Sequence, residues 1–129
     1  MNAALRLIAT GGALPGRTVT NEDLSRMVDT SAAKQALSRS GLAPVDIGCC
    51  ICATLSAPDA TPSVACQIQA ALSLPENCPA LDVNAACSGF LYGTAVARGL
   101  LATMGGRYAL VVGCEALSRL IDPTDRSTC

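Results

Sequence analysis

The chain has 129 residues, half of them apolar and only 2% aromatic, which is enough for one domain built around a core of small side chains. Its formal net charge is −1 and no run of like charge exceeds two residues, so nothing points to nucleic acid or another polyanion as a partner. No uninterrupted apolar stretch reaches the ~18 residues of a membrane span, and no charged-apolar-small leader opens the sequence, so a cytoplasmic protein that does not enter a membrane is expected.

Leu5 to Thr10 reads as a first strand, ended by Gly11-Gly12, and Pro15-Gly16 is turn chemistry. Thr20, with Asp23 three residues later, makes the cap of a short helix that runs to Val28 and is stopped by Asp29-Thr30-Ser31. Ala32 to Ser40 is a second helix, closed by Gly41 and followed by Pro44. Ile47 to Leu55 is a nearly continuous apolar run, the mark of a strand buried on both faces. Thr61 then reads as a helix cap with Pro62 in the first helical position, and Val64, Ile68, Ala71 and Leu72 supply the buried side.

Ala80 to Val83 is a short strand, turned sharply through Asn84-Ala85-Ala86 into a long helix. Phe90, Gly93, Ala97, Leu100 and Met104 recur at three- or four-residue spacing as its buried face, and Gly105-Gly106 supply the stop. Tyr108 to Val112 is a further continuous strand, and from Ile121 onward the chain is polar and loop-like. Strands alternating with helices in this way predict a layered α/β domain with a largely parallel sheet.

Eight cysteines, at positions 49, 50, 52, 66, 78, 87, 114 and 129, suggest either a disulfide framework or a metal site. Most fall inside predicted strands and helices rather than loops, and without a leader reduced thiols are expected. Cys49 and Cys52 form a C-x-x-C, but on a strand they point to opposite faces, and no second such pair or any histidine exists to complete a site. No metal is expected.

Cys87 is placed differently from the rest, where a strand hands over to a helix. A helix N-terminus carries unpaired N–H groups and about half a positive elementary charge, which favours the thiolate form of a cysteine and makes it a nucleophile. Gly89 and Gly93 remove side chains near the sulfur and leave room for a ligand to approach. The alternative for such a residue is a buried structural thiol, since free cysteine is among the most buried residue types.

The stretches DVNAACSGF, YALVVGCEALSR, DPTDR and PSVACQIQ, with the opening IATGGALP and TNEDLSRMVDTS, together resemble β-ketoacyl-acyl-carrier-protein synthase III. That family is the condensing enzyme that starts type II fatty-acid synthesis. The likeness runs over nearly the whole chain in the family's own order. It implies a thiolase-like layered αβαβα fold made of two related halves, with residues 1–129 corresponding to the first half only. It implies an acyltransferase that works by a ping-pong mechanism as a homodimer. Acyl-CoA is a substrate rather than a cofactor, malonyl-acyl-carrier-protein is the second substrate, and no cofactor is needed.

The position matching the family's nucleophile is Cys87. Arg126 matches an arginine set against the nucleotide end of coenzyme A, where a guanidinium stacks on adenine and pairs with phosphate; the alternative is a solvated loop arginine. Thr30 matches another coenzyme A contact. Thr61 matches the position at which a partner subunit caps the acyl pocket, and threonine in place of a bulky aromatic implies room for chains beyond acetyl; it is equally read as the helix cap above. Leu117 matches a residue lining the same pocket.

The sequence departs from the family in two places. After Ser31 the family has some two dozen residues, including a tryptophan and arginines that clamp coenzyme A, where this chain runs directly into Ala32. The family's second half, with the histidine and asparagine of its Cys-His-Asn triad, has no counterpart here, and the chain contains no histidine at all. These residues alone are therefore expected to be inactive in condensation, either as part of a longer protein or as a truncated product. Another thiolase-fold ketosynthase of secondary metabolism and a non-catalytic remnant that binds a partner subunit are the competing readings.

Overall fold

A computed structural model describes residues 4–13, 30–122, 124, 125 and 127. Three helices and three strands alternate along it: α1 (Ser31–Ser40), β1 (Ile47–Ala53), α2 (Val64–Ala71), β2 (Ala80–Val83), α3 (Gly89–Met104) and β3 (Tyr108–Gly113). The strands form one parallel sheet in the order β2-β1-β3, with Ile51 beside Leu81 on one side and Val111 on the other. Parallel neighbours need crossovers, and α2 and α3 supply them.

The central strand explains its own composition. Six of the seven residues of β1 are buried, because helices cover both faces of the sheet. Cys50 and Cys52 point to the face shared with Val64, Ile68 and Ala33, from α2 and α1. Cys49 and Ile51 point to the other, against Ala97 of α3. The alternation predicted for Cys49 and Cys52 is thus present, and none of the seven described cysteines is joined in a disulfide.

Small residues set the layer spacing. A Cβ on Gly93 would stand 3.3 Å from Ile51 Cγ2 and 3.4 Å from Val111 Cγ1, so the α3 backbone lies almost on the sheet. The buried line of α3 follows Gly89, Gly93 and Ala97 at four-residue steps. Phe90 and Met104, predicted for that face, are instead 48% and 60% exposed. At so close an approach large side chains do not fit under the helix, and they move to its flanks. Gly105, at φ +80, ends α3 in the left-handed conformation as its position predicts.

Three further expectations are corrected. Residues 4–13 carry no regular secondary structure, so Leu5 to Thr10 is not a strand. This segment is tied to α1 instead: the Gly12 N–H donates to Gln35 Oε1 (2.9 Å) and Arg39 Nη1 donates to the Thr10 carbonyl (3.1 Å). A cleft of about 650 Å³ separates it from β3. An apolar run states what its side chains prefer, whereas a strand also needs a ladder partner within reach.

The cap of α2 is Ser63, not Thr61: Ser63 Oγ accepts from the Cys66 N–H (3.2 Å), and Thr61 stands exposed in the preceding loop. On α2 itself, Ala65 rather than Ala71 is buried. The helix expected over residues 20–28 lies outside the described residues.

Candidate functional site

In a parallel α/β sheet the loops after the carboxyl ends of the strands form the natural binding crevice. Here the loop after β1 leads through Thr61 to α2, the turn after β2 carries Cys87, and the loop after β3 carries Leu117. Three of the five candidate positions therefore sit at one edge of the sheet. Thr30 precedes α1, half-buried, with its carbonyl accepting from the Lys34 N–H (2.9 Å). It belongs to the helical layer over one sheet face rather than to the strand-end loops. Arg126 lies outside the described residues.

The turn that holds Cys87 is fixed from both sides. Ala86 has φ +45, a left-handed conformation that costs a non-glycine residue about 1 kcal/mol or more. Residues Ala86–Ser88 make one 3₁₀ turn, and α3 begins at Gly89. A Cβ on Gly89 would lie 3.0 Å from Ala53 Cβ, so the start of the helix is pressed onto the end of β1. Cys87 thus stands just ahead of the N-terminus of a 16-residue helix and is exposed.

Four of the other described thiols are of another kind. Burial pushes the Cys49 thiol up to about 11 and the Cys50 thiol up to about 12, with Cys78 adding to both. Burial raises Cys52 further still and raises Cys78 as well. At neutral pH these four remain protonated and inert core residues.

Two acidic side chains that the sequence did not single out organise the same edge. Asp82, on β2, accepts from the N–H groups of Val64 (2.9 Å) and Ala65 (2.8 Å). With Ser63 it satisfies three of the free donors at the start of α2, and so ties the nucleophile's strand to the helix behind Thr61. Glu115 follows β3. Its Oε1 accepts from the Leu55 N–H (3.0 Å) and its Oε2 from the buried Ser56 hydroxyl (2.5 Å). Ser56 Oγ in turn accepts from the Ala116 N–H (2.7 Å). The available sequence signal was a lone carboxylate inside each of two otherwise apolar stretches, ALDV and VVGCEAL.

Among the described residues no group of three or more His, Cys, Asp or Glu side chains could hold a metal ion, and no helix is long and apolar enough to cross a membrane.

The model of the family 3-oxoacyl-[acyl-carrier-protein (ACP)] synthase III matches residues 81–129. A β-ketoacyl-acyl-carrier-protein synthase III from Natranaerobius thermophilus is 38% identical over 152 residues, covering 96% of this chain and 46% of the relative. The crystal structure of a 3-oxoacyl-acyl-carrier-protein synthase III from Aquifex aeolicus superposes with a TM-score of 0.77 at 35% identity, over 95% of this chain and 48% of that one. A tetronic acid condensing enzyme superposes at 0.72 with 25% identity, over 92% and 45%. The chain spans about half the length of the curated relatives it matches. Its layered α/β architecture is that of the thiolase-fold synthases.

Proposed function

The chain belongs to the 3-oxoacyl-acyl-carrier-protein synthase III family, and we propose that it is the nucleophile-bearing half of such a condensing enzyme. The observation that carries this reading is the exposed Cys87 on a strained turn between β2 and α3, at the carboxyl edge of a parallel sheet. A nucleophile on such a turn reaches past the sheet to a substrate, and the dipole of α3 favours negative charge beside it.

In this reading the Cys87 sulfur attacks the carbonyl carbon of an acyl-CoA. The bond between that carbon and the coenzyme's sulfur breaks, and coenzyme A leaves as its thiolate. Malonyl-acyl-carrier-protein then loses carbon dioxide, the resulting carbanion attacks the acyl-cysteine carbonyl, and a carbon–carbon bond forms as the Cys87 sulfur is released. Stabilising that carbanion needs donors placed at the developing charge. With no histidine in the chain, the imidazole of the family's triad would come from outside these residues. The half-reaction this chain can perform is acyl transfer to Cys87.

Thr61, Leu117, Thr30 and Arg126 are assigned to binding the acyl chain and coenzyme A. A cytoplasmic homodimer and no cofactor complete the reading. The 152-residue alignment against a 129-residue chain is consistent with relatives that carry an additional segment, as proposed between Ser31 and Ala32.

Incubation with acetyl-CoA followed by peptide mass spectrometry tests the reading. An acetyl adduct on Cys87, absent in Cys87→Ala, is the expected result. A folded chain that forms no adduct removes the acyl-transfer assignment and favours the remnant. The likeness to a tetronic acid condensing enzyme supports a ketosynthase of secondary metabolism as a second reading. Comparing acceptors on the acylated protein separates the two.

A further inference from the structure

The loop after β3 is held to the loop after β1 by a small polar network that the acyl-transfer reading does not use. Ser56 is its hub. The residue is buried, its hydroxyl donates to Glu115 Oε2 (2.5 Å), and its Oγ accepts from the Ala116 N–H (2.7 Å). Its carbonyl accepts from Arg119 Nη1 (3.4 Å). Glu115 closes the circuit by accepting the Leu55 N–H at 3.0 Å.

The residues caught between these bonds are Leu117–Arg119, a single 3₁₀ turn. Ala116 immediately precedes the turn and Arg119 ends it, so both of its ends are fixed to Ser56 in the loop after β1. Leu117 between them is 54% exposed, so packing does not explain its placement. Its turn and the Cys87 turn follow the two outer strands of the sheet, with the end of β1 between them. At about 4.8 Å per strand, the two strand ends stand roughly 10 Å apart across the crevice.

We propose that Glu115, acting through Ser56, is a positioning residue that sets Leu117 as one wall of the path by which an acyl chain reaches Cys87. The assignment of that path to an acyl chain rests on the reading above. The mechanism depends on the carboxylate. Only an acceptor at Oε2 can take the Ser56 proton while Ser56 Oγ accepts from Ala116, and an amide nitrogen at that position donates instead. Glu115→Gln keeps one acceptor oxygen for two donors, so either the Ser56 hydroxyl or the Leu55 N–H loses its bond and the tie that holds the Leu117 turn is weakened. Ser56→Ala does the same from the other side.

The test uses N-ethylmaleimide and N-octylmaleimide on the purified chain, with alkylation at Cys87 followed by mass spectrometry. These probes report the apolar path whether or not acyl-CoA is the natural substrate. The wild type is expected to favour the octyl reagent over the ethyl one. Glu115→Gln, Ser56→Ala and Leu117→Ala are each expected to lower that preference by about fivefold or more, and Glu115→Gln and Ser56→Ala are expected to leave the ethyl rate unchanged. Because Glu115 acts through Leu117, adding Glu115→Gln to Leu117→Ala should change nothing further.

An unchanged preference in Glu115→Gln and Ser56→Ala overturns the proposal, and so do effects that simply add. Variants whose Cys49, Cys50 and Cys52 become as reactive as Cys87 make the pair a folding element and overturn it as well. A parallel incubation with acetyl-CoA separates the two claims. Length-dependent alkylation without acetylation keeps the positioning role and removes the acyl-transfer reading; acetylation with no effect of the variants does the reverse.

Discussion

Seven of the eight cysteines fall among the described residues, and their surroundings separate them. Cys49, Cys50 and Cys52 follow one another along β1 with no exposed surface, whereas Cys87 is exposed at a turn. One residue type thus serves as a small apolar core unit in one place and as a candidate nucleophile in another. Thr61 poses a similar question at the same edge. It does not cap α2, so its side chain is free of the duty that the sequence suggested for it. If its role is to leave the acyl path open, Thr61→Phe should narrow the range of chains accepted. Acylation of Cys87 by octanoyl-CoA is expected to fall about tenfold or more relative to acetyl-CoA, by the discrimination that pocket size provides. Equal ratios in the two proteins would show that position 61 does not limit chain length.

Helix α2 shows how one element depends on another far along the sequence. Its first turn is closed by Ser63, which is local, and by Asp82, which arrives from β2. A carboxylate receiving two backbone N–H groups at a helix start is favoured by both the hydrogen bonds and the dipole. Asp82→Ala is expected to lower stability by about 1.5–3 kcal/mol, and Asp82→Asn, which keeps one acceptor, by less. Urea unfolding of the three proteins measures it. An unchanged midpoint in Asp82→Ala would mean that the pairing contributes nothing. Helix α3 follows the opposite logic. Its contact with the sheet is made by the absence of side chains at Gly89 and Gly93, and the start of β1 repeats the device. There a Cβ on Gly48 would stand 2.9 Å from Gly106 Cα, at the point where the β1–β3 register shifts.

For the molecule as a whole, the buried thiols set an alkaline limit on stability. The unfolded chain releases the Cys49 and Cys50 protons near 9, but the folded chain holds them to about 11 and about 12. Between those values the native state binds more protons than the unfolded one, so stability falls as pH rises. Below about 9 both states keep the protons and these groups contribute no pH dependence. Thermal unfolding is therefore expected to be insensitive to these thiols from pH 7 to about 8.5 and to shift to lower temperature above about 9. Cys50→Ala should flatten the alkaline fall. A wild-type curve with no decline up to pH 11 would contradict the burial of these groups.

Much of this architecture is legible in the sequence. The apolar runs at 47–55, 80–83 and 108–112 correspond to β1, β2 and β3, and the glycines at 41 and 105 end α1 and α3. Such signals survive because they are local: a continuous apolar run or a residue tolerant of positive φ carries its meaning without its neighbours in space. The position of Cys87 between a strand and a helix was legible for the same reason. The pairing of Asp82 with α2, the Ser56–Glu115 bonds and the choice of small residues for the buried line of α3 were decided by tertiary structure. So was the fate of residues 5–10, whose apolar pattern suits a strand but which lie against α1 instead. Each of these depends on which groups meet across 17 to 60 residues of chain. A sequence pattern records which groups seek a partner, and only the folded chain brings one within hydrogen-bonding distance.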